Sequence, residues 1–397
     1  MTNRTFIIGV GMTKFEKPGS REWDYPDMAR EAGTAALADA GIDFEQVQRA
    51  FASYVAGDSC SGNRAVYELG TTGIPIVNVN NNCASGSSAL YLAREAVKYG
   101  QADCVLALGF EKMEAGSIKN HFHDREAPMK RHIKSMWGRR GKGDRGPIAA
   151  QMFGNAFKEY QEQYGADVVT LAKISEKNYA HSVNNPRSQF QTPRSVEDVL
   201  GAPMTETPLT RMMCCPTSDG GAAVIVASER FVEEHGLWSR AVEIVGQALT
   251  TDTPDSFDGT ERGMVGFHFG QRAADLAYAE AGVEPEQLDV IELHDCFASA
   301  ELMAYEALRL CGDGEASKIV ENGDNTYGGR WVVNPSGGLT SKGHPLGATG
   351  LAQAAELTWQ LRGEAEARQV PGATVALSHN LGLGGAGVVT VYQKVVR

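Results

Sequence analysis

Four short stretches concentrate the side chains that could do covalent chemistry. They are Asn82-Cys83-Ala84-Ser85-Gly86, His294-Asp295-Cys296-Phe297, Gly343-His344-Pro345 and His379-Asn380-Leu381-Gly382-Leu383-Gly384-Gly385. A thiol can attack a carbonyl carbon, and an imidazole that titrates near neutral pH can take a proton and return it. Together the four stretches suggest acyl chemistry with Cys83 as nucleophile. Taken alone, Cys83 reads equally well as an inert buried cysteine, since free cysteine is among the most buried residue types.

The elements that must position these groups are legible around Cys83. Ile74 to Val79 is short and rich in β-branched residues, whereas Ser87 to Lys98 puts Ala89, Leu90, Leu92, Ala93 and Ala96 on one helical stripe. Cys83 therefore falls on a strand-to-helix turn. Unpaired N–H groups and the partial positive charge of a helix N-terminus favour thiolate there and can hold an oxyanion.

Further strand-like runs are Phe6 to Val10, Val47 to Ala56 and Cys104 to Phe110, with a helix expected over Tyr25 to Ala40 and stopped by Gly41. This alternation predicts an α/β fold with a mostly parallel sheet. Ala222 to Ala227 returns as a strand, and at Val242 to Gln247 the chain begins again. Ala36-Leu-Ala-Asp-Ala-Gly-Ile-Asp-Phe-Glu-Gln-Val is echoed by Ala277-Tyr-Ala-Glu-Ala-Gly-Val-Glu-Pro-Glu-Gln-Leu, and the Cys83 turn corresponds in order to the turn at His344. An internal duplication follows, which allows reactive turns from both halves to meet at one site. The expected organisation is a first half from 1–110 and 204–240, an inserted loop region at 111–203, and a second half at 241–397.

Within the insertion, Lys130, Arg131, Lys134, Arg139, Arg140, Lys142 and Arg145 are interrupted by one acid, Asp144. The cluster could receive a phosphate-bearing ligand or could be a solvated or subunit-contacting loop. The net charge of −12 argues against general nucleic-acid binding. No apolar run is long enough to span a bilayer. Seven cysteines without CxxC spacing fit a reducing compartment, and adjacent Cys214 and Cys215 are poorly placed to chelate one ion, so no metal site is expected. Gly382-Leu383-Gly384-Gly385-Ala386-Gly387 matches GxGxxG, but a strand rather than a helix follows it, and Gly9-Val10-Gly11 has Lys14 where a third glycine is needed. Neither is read as a dinucleotide loop.

These stretches, with Gly343-His344-Pro345-Leu346-Gly347-Ala348-Thr349-Gly350 among them, resemble the thiolase superfamily over essentially the whole chain, and its sterol-carrier-protein-2 (SCP-x) type in particular. The resemblance implies two fused halves in a five-layered αβαβα arrangement, a loop domain that binds coenzyme A as co-substrate, and a homodimer or homotetramer. It implies Cys83 as nucleophile toward a 3-oxoacyl-CoA, His344 as its base, and Cys296 as the second cysteine, which protonates the departing enolate and later deprotonates incoming CoA. His294 stands where the common pattern has an asparagine and would serve an oxyanion hole. His379, with nearby backbone N–H groups at Gly384 and Gly385, would either shape a second hole or make a structural hydrogen bond. Arg139, Arg140 and Lys142 are the candidate contacts for CoA phosphates. Substrates of this branch are typically branched or sterol-derived. Other relatives are retro-aldolases that work with a small OB-fold partner, and the family also raises a lipid carrier or scaffold; a complete set of reactive turns favours thiolysis over both. The absence of a presequence and a terminus unlike an SKL address lead to the expectation of a cytoplasmic enzyme.

Overall fold

The computed structural model of the chain describes residues 2–116, 122–143 and 146–396. Among the described residues ten strands form one sheet: β1 (Thr5–Met12), β2 (Arg49–Ser53), β3 (Ile76–Val79), β4 (Cys104–Glu111), β5 (Gly220–Ser228), β6 (Val242–Thr250), β7 (Val290–Glu292), β8 (Val332–Val333), β9 (Val375–Gly382) and β10 (Ala386–Lys394). Their spatial order is β8-β7-β9-β10-β6-β1-β5-β4-β2-β3. Outward from the β1–β6 junction, both directions read first, fifth, fourth, second and third strand of a half. The duplication seen in the sequence is thus a repeat of topology.

Each half is mixed rather than mostly parallel. β2 runs parallel to β3 and β4, and β7 to β8 and β9, but β5 and β10 insert antiparallel to both their neighbours. Local alternation of strands and helices does not reveal this, because the fifth strand returns after the long helical insertion in the first half and through a hairpin in the second. β9 and β10 are joined by a tight hairpin, which permits only antiparallel pairing. That hairpin is what the GxGxxG-like stretch builds.

Six helices matter for the site: α1 (Tyr25–Ala40), α2 (Ser85–Lys98), α3 (Lys130–Arg140), α4 (Phe267–Ala281), α5 (Ala298–Ala307) and α6 (Leu346–Arg362). The echoed segments are capped alike. Gly41 and Gly282 end α1 and α4 in the left-handed region, at φ 69° and 64°, and Gln46 and Gln287 each accept the N–H three residues back. α1 covers the outer face of the first half and α4 that of the second, with α5 beside α4. Between the two half-sheets α2 and α6 pack on each other and on the strands of both, giving the succession α, β, α, β, α. No helix among the described residues is long and apolar enough to cross a membrane.

Contact between α2 and α6 brings the reactive turns together. A Cβ added at Gly86 would lie 2.9 Å from Gly347 O, and one at Gly350 only 2.1 Å from Ser87 Oγ. Missing side chains let the two N-terminal turns abut, so Cys83 before α2 and His344 before α6 face one another.

Candidate active site

The Cys83 turn is built by its polar neighbours. Asn82 is left-handed at φ 54°, a conformation asparagine tolerates better than most residues, and its side chain donates to Leu383 O at 2.9 Å. Ser85 Oγ accepts from Asn81 N and donates to Asn82 O, at 2.8 and 2.6 Å. Gly382 leaves the room this turn fills, since a Cβ there would lie 2.1 Å from Asn81 O. Burial, reinforced by the negative charge of Glu111, pushes the Cys83 thiol up to about 12, against the pull of the Cys83 and Leu383 N–H groups. The thiolate expected from the helix terminus is therefore overridden by desolvation. Cys83 rests as a thiol and needs a base.

His344 is placed to be that base. Its Nδ1 donates at 2.7 Å to Thr349 Oγ1, whose own hydrogen goes to Pro345 O at 2.9 Å. The ring proton is thereby held on Nδ1, and the buried Nε2 lone pair has no partner among the described residues. Burial, helped by the Lys342 charge, lowers His344 to about 3, so the imidazole is neutral across the physiological range. Lys342 in turn pairs with Glu292 at 3.1 Å, both fully buried, and ties the segment before His344 to the strand before His294. Removing one partner of such a pair leaves an uncompensated buried charge.

The ligating or reactive atoms of Cys83, His294 and His344 all lie within 4.8 Å of one another. The two rings meet edge to face with centroids 5.2 Å apart. His294 Nδ1 accepts from Asn380 Nδ2 at 3.0 Å, which leaves its proton on Nε2. A thiol and two imidazoles this close could also ligate a soft cation. A protonated Nε2 on His294 is the state of an oxyanion donor instead.

Cys296 follows two residues on, 6% exposed, its thiol raised well above the usual range by burial and by the neighbouring Cys215 and Cys83. Cys215 N donates to Cys296 O at 2.9 Å, so a third thiol borders the site that the sequence reading had considered only as half of a metal pair. Asp295 orients rather than reacts: it is fully buried and accepts from Leu339 N, Thr340 N and Asn178 Nδ2, at 2.6, 3.1 and 2.9 Å.

His379 neighbours the site but takes the other face of its strand. It belongs to β9 rather than to a loop, and alternate β9 side chains take opposite faces. Val375, Leu377 and Leu381 share a core with α4 and α5, whereas Ala376 joins the core around α2 and α6. His379 follows the first set and Asn380 the second. His379 borders a small apolar cavity of about 20 Å³ with Phe153, Phe267, Met303 and Leu381, room for roughly one water molecule and none for an acyl chain. Neither of its ring nitrogens has a partner among the described residues. Asn380, which the sequence reading passed over, is the β9 residue that reaches the triangle, and period-two alternation from Gly382 could have found it. Gly384 and Gly385 occupy the hairpin turn at φ 100° and 99°, and their neighbour Leu383 makes the contacts to the Cys83 turn.

The expected CoA-phosphate cations are differently employed. Arg139 binds Glu261 at 2.9 Å, Arg140 grips Glu162 with two bonds at 2.8 and 2.9 Å, and Lys142 lies over the Trp137 ring. These arginines tie α3 to its neighbours because carboxylates remote in sequence fold against them. Arg131, over the Phe257 ring at 3.9 Å, and Lys134 are in no ion pair among the described residues. Arg145 lies outside the described residues.

Asn380→Ala should lower kcat about ten- to a hundredfold by freeing the His294 tautomer, short of the ~10²–10³-fold loss for removing an oxyanion donor outright. Asn380→Asp should cost more, since a carboxylate accepts and would draw the proton to Nδ1. Steady-state kinetics decide the order, and equal kcat in all three proteins would remove His294 Nε2–H from the chemistry.

Comparison with known proteins agrees with this geometry. The family description "Thiolase, N-terminal domain" matches residues 5–230, and "Thiolase C-terminal domain-like" matches residues 259–394. The chain belongs to the thiolase family. Within it, sterol carrier protein 2 of Bos taurus is 57% identical over 395 residues, covering 99% of this chain and 73% of that protein. Acetyl-CoA acetyltransferase of Methanothermobacter thermautotrophicus is 34% identical over 396 residues, 98% of this chain and 99% of that protein. A solved structure described as an Ltp2-ChsH2(DUF35) aldolase shares the fold, with TM-score 0.81, 22% identity and 98% of each chain covered.

Proposed function

We propose that this protein is a CoA-dependent thiolase acting on 3-oxoacyl-CoA through an acyl-enzyme at Cys83, on branched or sterol-derived acyl chains. The observation that carries the reading is the 4.8 Å triangle in which the Cys83 thiol meets the unpartnered, neutral imidazole of His344 and the oriented imidazole of His294.

The steps follow from the protonation states. His344 Nε2 takes the Cys83 proton as Sγ adds to the substrate ketone carbon. The Cα–Cβ bond breaks, its electrons pass to the enolate of acetyl-CoA or propionyl-CoA, and the thioester stays on Cys83. His294 Nε2–H holds the oxygen on which the enolate charge gathers. Cys296 gives its proton to the enolate carbon, and its thiolate then takes the proton of incoming CoA, whose sulfur attacks the Cys83 thioester; the C–Sγ bond breaks and the departing Cys83 sulfur takes back its proton from His344. A thiol raised by burial is a stable proton carrier at rest, and the developing enolate beside it is a strong enough base to take that proton.

The test is intact-mass analysis after incubation with acyl-CoAs of graded bulk. A covalent acyl adduct on Cys83 is expected, and the bulk it tolerates reports the substrate class. Failure of every acyl-CoA to add mass, with cleavage of an aldol substrate instead, would replace thiolysis by the retro-aldolase reading.

A further inference from the structure

Glu111 closes β4 and is fully buried, yet the reaction above gives it no part. Its carboxylate gathers N–H groups from both halves of the molecule. Ala56 N donates to Oε1 at 2.7 Å and Val55 N to Oε2 at 3.1 Å, from the loop leaving β2; Gly347 N, in the first turn of α6, donates to Oε2 at 2.9 Å. Gly347 itself is wedged between strand ends, for a Cβ there would lie 2.5 Å from both Phe110 O and Ser53 O. Ser53 Oγ donates to Gly347 O at 2.8 Å, so both backbone polar groups of that residue are gripped by the first half. Gly347 stands three residues after His344, with the stiff Pro345 between them.

The negative charge of the same carboxylate also disfavours the Cys83 thiolate. The groups facing Glu111 are the Cys83 thiol, the neutral His344 turn on α6, and Asp219 at the head of β5, which is neutralised by Lys112 at 3.2 Å.

We propose that Glu111 is a positioning residue that clamps the His344 turn against the first half-sheet, and that its negative charge, set where the first turn of α2 abuts Gly347, slows reactions of Cys83 that need a thiolate. Its two effects then have opposite signs. The clamp speeds turnover by keeping the base in place, and the charge slows any reaction of the free enzyme that needs a thiolate. The effect on turnover rests on the thiolysis reading; the effect on free-enzyme thiol reactivity does not.

Glu111→Gln separates the two. Burial raises the Glu111 carboxyl to about 7, so its charge is present above that pH and absent below it. Iodoacetamide labelling of Cys83, read by peptide mass spectrometry, should run roughly three- to tenfold faster in Glu111→Gln than in the native protein at pH 8.5, and the gap should close by pH 6. Turnover of 3-oxoacyl-CoA should fall about ten- to a hundredfold in kcat with KM nearly unchanged. Glu111→Asp, which keeps the charge but shortens the reach, should lose kcat while its labelling rate stays native. It also serves if the glutamine variant does not fold. Faster turnover, or labelling that is unchanged at pH 8.5 in Glu111→Gln, overturns the proposal, as does accelerated labelling in Glu111→Asp. A native protein that labels as expected but shows no thiolysis would sink the thiolase reading and leave the electrostatic link between Glu111 and Cys83 standing.

Discussion

Cys83→Ala should reduce CoA-dependent cleavage of 3-oxoacyl-CoA by at least ~10⁴-fold and abolish the acyl adduct, because no bond-making step remains when the nucleophile is gone. Stability should change by no more than about 1 kcal/mol. The turn is held by the hydrogen bonds of Asn81, Asn82 and Ser85 to groups other than the sulfur, whose own bond is a long contact of 3.8 Å to Asn82 Oδ1, and Gly382 leaves the space it fills. Loss of activity with an unchanged denaturation midpoint is thus the expected pair of results. Wild-type cleavage by the variant would rule out covalent catalysis at Cys83. Equal loss of activity and stability would show that the thiol is part of the core. The neighbouring thiols provide an internal control: Cys215 and Cys296 remain in the variant, so any adduct that persists must sit on one of them.

The meeting of Cys83 with His344 was legible in the sequence because both turns open equivalent helices of a duplicated unit, and duplicated helices that pack on each other bring their preceding turns together. What local pattern could not convey is which side of a strand a residue takes once the strand is longer than it looks. Reading His379 to Gly385 as one loop leaves His379 open between a second oxyanion hole and a structural hydrogen bond; the structure extends β9 to Gly382, so that Asn380 meets His294 and the buried His379 takes the opposite face. The basic cluster reads either as a receiver of a phosphate-bearing ligand or as a solvated or subunit-contacting loop; what a run of cations does not show is the carboxylates that fold against it, Glu261, 122 residues from Arg139, and Glu162, 22 residues from Arg140. Glu111 was invisible on both counts, an ordinary acid at the end of a strand until Gly347 folds onto it.

The division of labour between His344 and Cys296 makes the second large prediction. Cys296→Ala should lower overall cleavage roughly 10²–10⁴-fold, the range for a lost general acid–base group. Its signature should be selective. Exchange of deuterium from solvent into the methyl group of acetyl-CoA requires a proton to leave and return at carbon, the task proposed for Cys296, and this exchange should vanish. Transfer of an acyl group from one thiol to another through Cys83 needs no carbanion. His344 can take the Cys83 proton and return it to the departing sulfur, since its Nε2 is free and its Nδ1 is fixed by Thr349. Acyl exchange between acyl-CoA and a second thiol should therefore survive in Cys296→Ala within about tenfold of the native rate, and the acyl-enzyme should be visible by mass. His344→Ala should lose acyl exchange, the reaction that needs the Cys83 proton taken and returned. If Cys296→Ala kept deuterium exchange, the proton at carbon would have to come from another group, and Cys215, whose N–H already binds Cys296 O, is the thiol beside it. The double variant Cys215→Ser with Cys296→Ala would then decide whether either thiol carries that proton.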